Sequence, residues 1–308
     1  MRSLIVEEFG APDVLQLVDG PVPEPGPEDV LVRVAAAGLN WIDVSLRAGR
    51  LQHAGLLVPA PRYGMGWDVA GTVEAVGTRV TAVAPGDRVI GLRDVLGRPG
   101  THAEFVALHE SAVVDAPDGV DLLTAGGLPL AGVTAIGAVR AASSGRSLLV
   151  TGGGGVIGQM CVAVAVHRGL DVVAAGRAGD AKRIEGLGAR FADTDDLAVQ
   201  LRTLGPRGVD AVIDTANLGA AAHEALRGGG TFVALVRPFA PLPLRGTRVV
   251  VHESWADTTV LRELVELVEK DVVVPPDVLP HRLGEAAAAH ALMEAGGLRS
   301  RIVLTPDA

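Results

Sequence analysis

A run of glycines stands where this chain could hold an anion. Thr151-Gly152-Gly153-Gly154-Gly155-Val156-Ile157-Gly158 contains the pattern G-x-G-x-x-G as Gly153, Gly155 and Gly158. In a strand–turn–helix setting the first glycine makes the tight turn and the second lets backbone approach a pyrophosphate. The third lets helix and strand pack closely, and the helix N-terminus faces the anion. The pattern by itself is weak evidence. Here an apolar strand at 148–150 precedes it, a helix over 156–167 closed by Gly169 follows, and a further strand comes at 171–175. That is the context the motif requires. Gly153, Gly155, Val156, Ile157 and Gly158 are therefore the pyrophosphate candidates.

The strand at 171–175 runs into Gly176-Arg177, nineteen residues beyond Gly158. An acidic residue at this point would accept hydrogen bonds from the adenosine ribose and select NAD. Arg177 stands there instead, with Lys182 and Arg183 close behind, and cations suit a 2′-phosphate. NADPH is the cofactor this favours. For Lys182 and Arg183, and less so for Arg177, the alternative is a solvated surface.

The elements that must position these residues fall into two textures. Up to about residue 121 the chain reads as short alternating strands (30–34, 69–76, 88–90) separated by Gly, Pro and Asp. Residues 59–61 and 97–100 read as exposed loop. From residue 122 strands alternate with helix-length segments, which predicts a parallel sheet with crossover helices. Its strands are expected at 148–150, 171–175, 211–214, 231–235 and 248–252, two of them near-continuously apolar. Thr215 and Leu235, at the ends of two of these strands, join the cofactor-binding candidates. After a helix at 258–270 the texture returns to short strands, one helix at 284–294 and a last strand at 301–304. The reading is an α/β protein whose β-rich domain, 1–121 and 271–308, is interrupted by a nucleotide-binding domain, 122–270.

Composition excludes several classes. A chain of 308 residues with a 48% hydrophobic fraction and 40 glycines has ample length for two cores. No apolar run reaches bilayer length, and MRSLIVEEFG places acidic residues where a signal peptide needs its apolar stretch. A soluble cytoplasmic protein is expected, with no membrane partner. One cysteine, Cys161, rules out an internal disulfide and any multi-cysteine metal site. A net charge of −9 without a basic cluster argues against nucleic acid.

Further segments carry a family likeness. Gly38-Leu39-Asn40-Trp41-Ile42-Asp43 resembles the "GxNxxD" of medium-chain quinone oxidoreductases, and Gly66-Trp67-Asp68-Val69-Ala70-Gly71-Thr72-Val73 their "GxDxAGxV". Gly86-Asp87-Arg88-Val89 resembles their "GDRV", and Leu128-Pro129-Leu130-Ala131-Gly132-Val133-Thr134-Ala135 their "LPLAGxTA". Arg301-Ile302-Val303-Leu304-Thr305-Pro306 closes the chain as theirs do. The likeness spans nearly the whole length in order. It implies the medium-chain dehydrogenase/reductase superfamily, in its zinc-independent quinone oxidoreductase and enoyl reductase branch. The implied fold is a GroES-like substrate domain around a Rossmann doubly wound parallel sheet, with the active site in the cleft between them.

Zinc-dependent relatives place a cysteine at the position of Asn40 and a histidine at that of Trp67. An amide is a poor zinc ligand and an indole is none. The eight histidines show no ligand spacing, so no metal is expected. Without a Lewis acid, odds shift towards substrates that spread charge themselves, such as enones and quinones.

The resemblance also assigns residues. Asn40 and Asp43 match a cleft-facing pair, expected to position cofactor or substrate, with a structural turn as the alternative. Thr134 matches a threonine near the nicotinamide, or is a hydroxyl at a helix start. Enoyl reductase relatives carry a tyrosine in the segment corresponding to 47–51, where this chain has Leu51. Tyr63 is then the one phenol that could donate a proton, or it is an ordinary loop aromatic. Trp41, Trp67, Arg50 and Trp255 would suit a flat, acidic, aromatic ligand, or pack in the core. The expected activity is NADPH-dependent reduction of a quinone or an α,β-unsaturated carbonyl. The alternatives are a cyclase, lyase or binding protein that keeps the fold, and a zinc-free alcohol dehydrogenase. A homodimer is expected by analogy, through the strand at 247–252.

Overall fold

The computed structural model describes residues 1–93, 99–142, 145–195 and 208–307. The loop expected at Gly97 and Arg98 lies outside them. The chain forms two compact units: Met1–Leu130, Trp255–Glu269 and Pro275–Ala308, and Ala131–Ser254 with Lys270–Val274.

The first unit opens with β1 (Arg2–Val6), β2 (Gln16–Asp19), β3 (Asp29–Gly38), α1 (Trp41–Arg47), α2 (Arg50–His53) and β4 (Tyr63–Gly64). Then come β5 (Asp68–Val76), β6 (Arg88–Leu92), β7 (Phe105–His109), β8 (Val113–Asp115) and the short α3 (Leu122–Ala125). Among the described residues a small sheet has the order β2-β1-β4. The larger sheet is β15-β16-β3-β5-β6-β8, with β7 also on β3, where β15 is Val278–Arg282 and β16 is Arg301–Thr305. Val30, Val32, Val34, Val69, Val73 and Val106 bury one face of it. A second core gathers Leu4, Val6, Leu39, Leu46 and Met65 under the helix Ala286–Ala295.

The second unit holds α4 (Pro129–Ala142, continuing from the first), β9 (Ser147–Thr151), α5 (Val156–His167), β10 (Asp171–Gly176), α6 (Ala181–Gly186) and β11 (Arg190–Asp193). It continues with β12 (Val209–Asp214), α7 (Ala220–His223), β13 (Leu226–Ala234) and β14 (Arg248–Val251). All six strands are parallel, in the order β11-β10-β9-β12-β13-β14. This is the 3-2-1-4-5-6 order of a dinucleotide-binding sheet. The inner stretches of its central strands, residues 148–150, 172–175 and 211–213, are apolar because both faces are buried.

Helix α8 (Thr258–Glu269) shows why periodicity does not choose a partner. Val260, Leu261, Leu264, Leu267 and Val268 form its buried stripe, at helical spacing. The sequence reading carries this segment in the nucleotide-binding stretch that ends at 270. In the structure the helix packs on β8, within the first unit, and its Glu269 accepts the Asp118 N–H at 3.1 Å.

Candidate functional site

The glycine turn joins β9 to α5 at the carboxyl end of the sheet, beside the reversal of strand order between β9 and β12. Each glycine there has its own reason. Gly152 adopts φ +64°, a left-handed conformation that a side chain disfavours. A Cβ on Gly153 would meet Ala174 at 2.8 Å, and one on Gly158 would collide with the Gly152 carbonyl. These two hold the turn tight against β10 and close helix against strand. Gly155 is different. Its φ of −80° suits any residue, and among the described residues a Cβ there would have just one neighbour within 4 Å, the Gly152 oxygen at 3.4 Å. The protein's own packing gives no reason for glycine at this exposed position. A pyrophosphate lying over the helix start does, since a Cβ would occupy its space. Helix α5 also has no side-chain cap, so the N–H groups of Val156, Ile157 and Gly158 are available to an anion. The residues present therefore fit a dinucleotide.

Below the turn lies a carboxylate that the sequence reading passed over. Asp214, at the end of β12 and 1% exposed, accepts Thr151 Oγ1–H at 2.6 Å, Gly219 N–H at 2.7 Å and Leu218 N–H at 3.1 Å. It ties the ends of β9 and β12 together. Thr215 donates from Oγ1 to the Thr151 carbonyl at 2.6 Å, so its hydroxyl is held by the turn. Leu235 lies half-buried just past β13. An acidic residue closing an otherwise apolar strand was the available signal for Asp214.

Arg177 caps β10 with its side chain exposed, while its N–H donates to Asp180 Oδ2 at 3.2 Å. Lys182 and Arg183 are exposed on α6. Thr134, on α4, is buried, with Oγ1 2.8 Å from Ser254 Oγ.

In the first unit Asn40 caps α1 and is 5% exposed. Both N–H bonds of its amide are committed, to the Gly38 carbonyl at 3.2 Å and to Asp68 Oδ2 at 3.0 Å. Its oxygen accepts from Arg301 Nη2, which also reaches Asp68 Oδ2 at 2.9 Å. Leu130 N–H completes the Asp68 shell at 2.6 Å. Asp43 is fully buried and accepts Asn40 N–H and Gly66 N–H, each at 2.9 Å. Burial pushes its carboxyl pKa up, opposed by nearby His102 and by those two hydrogen bonds. The structure thus joins Asn40 and Asp43 to Asp68, Arg301 and His102. Asp68 and Arg301 lie in the family-like segments but were not among the candidate site residues, though a charged residue opening the apolar strand 301–304 is a signal.

Tyr63 is placed apart from this cluster. It is 7% exposed in the core of the first unit, stacked on Phe9 at 5.6 Å between centroids. Its hydroxyl donates to the Val58 carbonyl and accepts Ala60 N–H, both at 3.0 Å. The phenol is occupied in holding its own loop. The tryptophans divide as well. Trp67 is buried with the Arg93 guanidinium 5.6 Å from its ring, and burial lowers that arginine to about 10. Trp41 and Trp255 are exposed, as is Arg50.

The chain has counterparts among known proteins. Residues 26–118 match the alcohol dehydrogenase GroES-like domain, and residues 187–304 match a zinc-binding dehydrogenase model. The 2-methylene-furan-3-one reductase of Solanum lycopersicum is 30% identical, over 99% of this chain and 79% of its own length. The NADPH-dependent alkenal/one oxidoreductase of Arabidopsis thaliana, a chloroplastic protein, is 32% identical over 99% and 80%. The chain belongs to the medium-chain dehydrogenase/reductase superfamily. Its fold is that of this superfamily throughout, a GroES-like domain and a Rossmann domain. The quinone oxidoreductase of Coxiella burnetii superposes with a TM-score of 0.85 at 27% identity, covering 100% of this chain and 99% of that one. Among the described residues no helix is long and apolar enough to cross a membrane.

Proposed function

We propose that this medium-chain dehydrogenase/reductase uses NADPH to reduce a quinone or the activated double bond of an α,β-unsaturated carbonyl compound, without zinc. The observation that carries it is Gly155, a glycine with no internal reason, at an uncapped helix start one strand from Arg177. The names of the relatives, an alkenal/one oxidoreductase, a furanone reductase and a quinone oxidoreductase, support the same substrate class.

When bound, the cofactor supplies a hydride. Gly153, Gly155, Val156, Ile157 and Gly158 would hold its pyrophosphate, and Arg177, with Lys182, the 2′-phosphate. Thr215 and Leu235 would border it at the ends of β12 and β13, and Thr134 would lie at its far end. We assign Asn40 and Asp43 to positioning, because the amide donors of Asn40 are spent on Gly38 and Asp68. Tyr63, with its hydroxyl bonded at Val58 and Ala60, holds its loop.

The donors at positions 40 and 67 do not suit zinc, since one is a committed amide and the other an indole facing Arg93. We further propose a cytoplasmic homodimer that pairs β14, the half-buried edge strand of the six-stranded sheet.

The test is oxidation of NADPH, followed at the nicotinamide absorbance, against a panel of quinones and enones with and without chelator. Turnover with at least one class, insensitive to chelator, is expected. Tight NADPH binding with no turnover overturns the redox assignment in favour of a cyclase or binding protein. One zinc per chain, lost together with activity, overturns the metal-free reading.

A further inference from the structure

Reduction of a carbonyl-conjugated bond or a quinone leaves negative charge on a substrate oxygen, which must gain a proton. Tyr63 is not free to give it. A different set of side chains lies at the carboxyl edge of the parallel sheet, and all of it belongs to the second unit. Thr134 Oγ1 lies 2.8 Å from Ser254 Oγ, and Ser254 Oγ lies 3.4 Å from His252 Nε2. The second distance is long, as hydrogen bonds in ligand-free active sites often are.

The position is the relevant one. Arg177 ends β10, on one side of the glycine turn, and marks the adenosine end of a bound dinucleotide. The other end would reach over β12 and β13 towards β14, which stands three strands from β9, or about 14 Å at about 4.8 Å per strand. His252 directly follows β14, held there by its N–H to the Ala234 carbonyl at 2.9 Å. Its ring rests on α4 at Gly137, where a Cβ would collide with the imidazole. Burial lowers the His252 pKa, with neighbouring Glu253, itself paired to Arg237, acting the other way. The imidazole is thus neutral near pH 7, able to pass a proton by changing tautomer. Among the described residues no protein group partners its Nδ1.

We propose that Thr134, Ser254 and His252 form a proton line that supplies the substrate oxygen, a reading that rests on the reductase function above. The Thr134 O–H bond breaks as its proton passes to the oxyanion. Thr134 takes the Ser254 proton, Ser254 takes the proton on His252 Nε2, and Nδ1 takes one from water. The imidazole begins and ends neutral, and hydroxide goes to the buffer. Thr134 is then the catalytic group, and Ser254 and His252 act through it.

The same contacts could merely tie α4 to the segment after β14, so the test needs readouts that a tie would not move. Ser254→Ala should lower kcat by about 10²-fold, with KM and NADPH affinity within about twofold of wild type. The solvent deuterium effect on kcat should rise, and Thr134→Val should show the same loss of kcat as Ser254→Ala while Thr134→Ser restores turnover. His252→Ala should regain activity with added imidazole. In the cofactor-free protein, nitrogen NMR should show the His252 tautomer balance shift in Ser254→Ala. An active wild type with an unimpaired Ser254→Ala, no imidazole rescue, or an unmoved His252 tautomer overturns the line alone. A wild type that binds NADPH but reduces nothing overturns the reductase reading, and the line with it.

Discussion

Arg301 and Asp68 form a buried ion pair, Nη2 to Oδ2 at 2.9 Å, that joins the last strand of the chain to β5. The two side chains are 8% and 0% exposed. The same guanidinium nitrogen meets Asn40 Oδ1, so one cation organises the amide and the carboxylate. Gly38 leaves the room, since a Cβ there would strike Asp68 Oδ2. Arg301→Met strands a buried carboxylate and should cost about 3–5 kcal/mol, measured by urea unfolding. Arg301→Met with Asp68→Leu should recover part of that. A loss below about 1 kcal/mol would mean that the pair is solvated and Asn40 is held some other way.

The last two glycines of the nucleotide motif should separate binding from folding. Gly155→Ala places its methyl in open space at an ordinary φ, so stability should change by about 1 kcal/mol or less. NADPH affinity, read by fluorescence titration, should nevertheless fall at least tenfold. Gly158→Ala drives a methyl into the Gly152 carbonyl and should destabilise the fold by about 3 kcal/mol. Unchanged NADPH affinity in Gly155→Ala would remove the pyrophosphate from this helix.

Arg177 should account for part of a preference for NADPH over NADH. A charge-assisted contact to phosphate contributes about 1.5–3 kcal/mol, roughly ten- to a hundredfold in affinity. Arg177→Ala should weaken NADPH by that factor and leave NADH nearly untouched. Equal weakening of both would make the exposed arginine a structural residue.

His290 should tie stability to pH. It is 0% exposed, and among the described residues neither ring nitrogen has a partner. Burial, helped by His102 and Arg47, lowers its pKa to about 3. The unfolded chain takes up this proton below about pH 6.5, while the folded protein refuses it until about 3. Stability is therefore present above about pH 6.5 and lost as pH falls through that window, by up to about 1.4 kcal/mol per unit. His290→Leu should flatten the urea-unfolding stability between pH 6.5 and 4.5 relative to wild type. Parallel profiles would show that the imidazole is not buried in the neutral form.

Short-range pattern determined much of this protein. The residues around Gly153–Gly158 read as a strand, a tight turn and a helix because each signal is local: apolar run, glycine spacing, 3.6-residue period. Helix α5 has the bounds expected for it, and strands expected from apolar runs lie in one parallel sheet. Arg177 was legible for the same reason, as it directly ends a strand. Tertiary structure decided what pattern cannot carry. Periodicity says that the stripe of α8 is buried, yet nothing in it names β8 as the surface. Trp41 and Trp67 look alike in sequence, and packing alone exposes one and sets the other under Arg93. Tyr63 read in sequence either as a proton donor or as an ordinary loop aromatic, and only the fold places Val58 and Ala60 on its hydroxyl. Arg301 and Asp68 are 233 residues apart, and Thr134 and Ser254 are 120. Such partners are chosen when distant backbone segments are packed, because a hydrogen bond depends on position and angle in space, and residue type fixes neither.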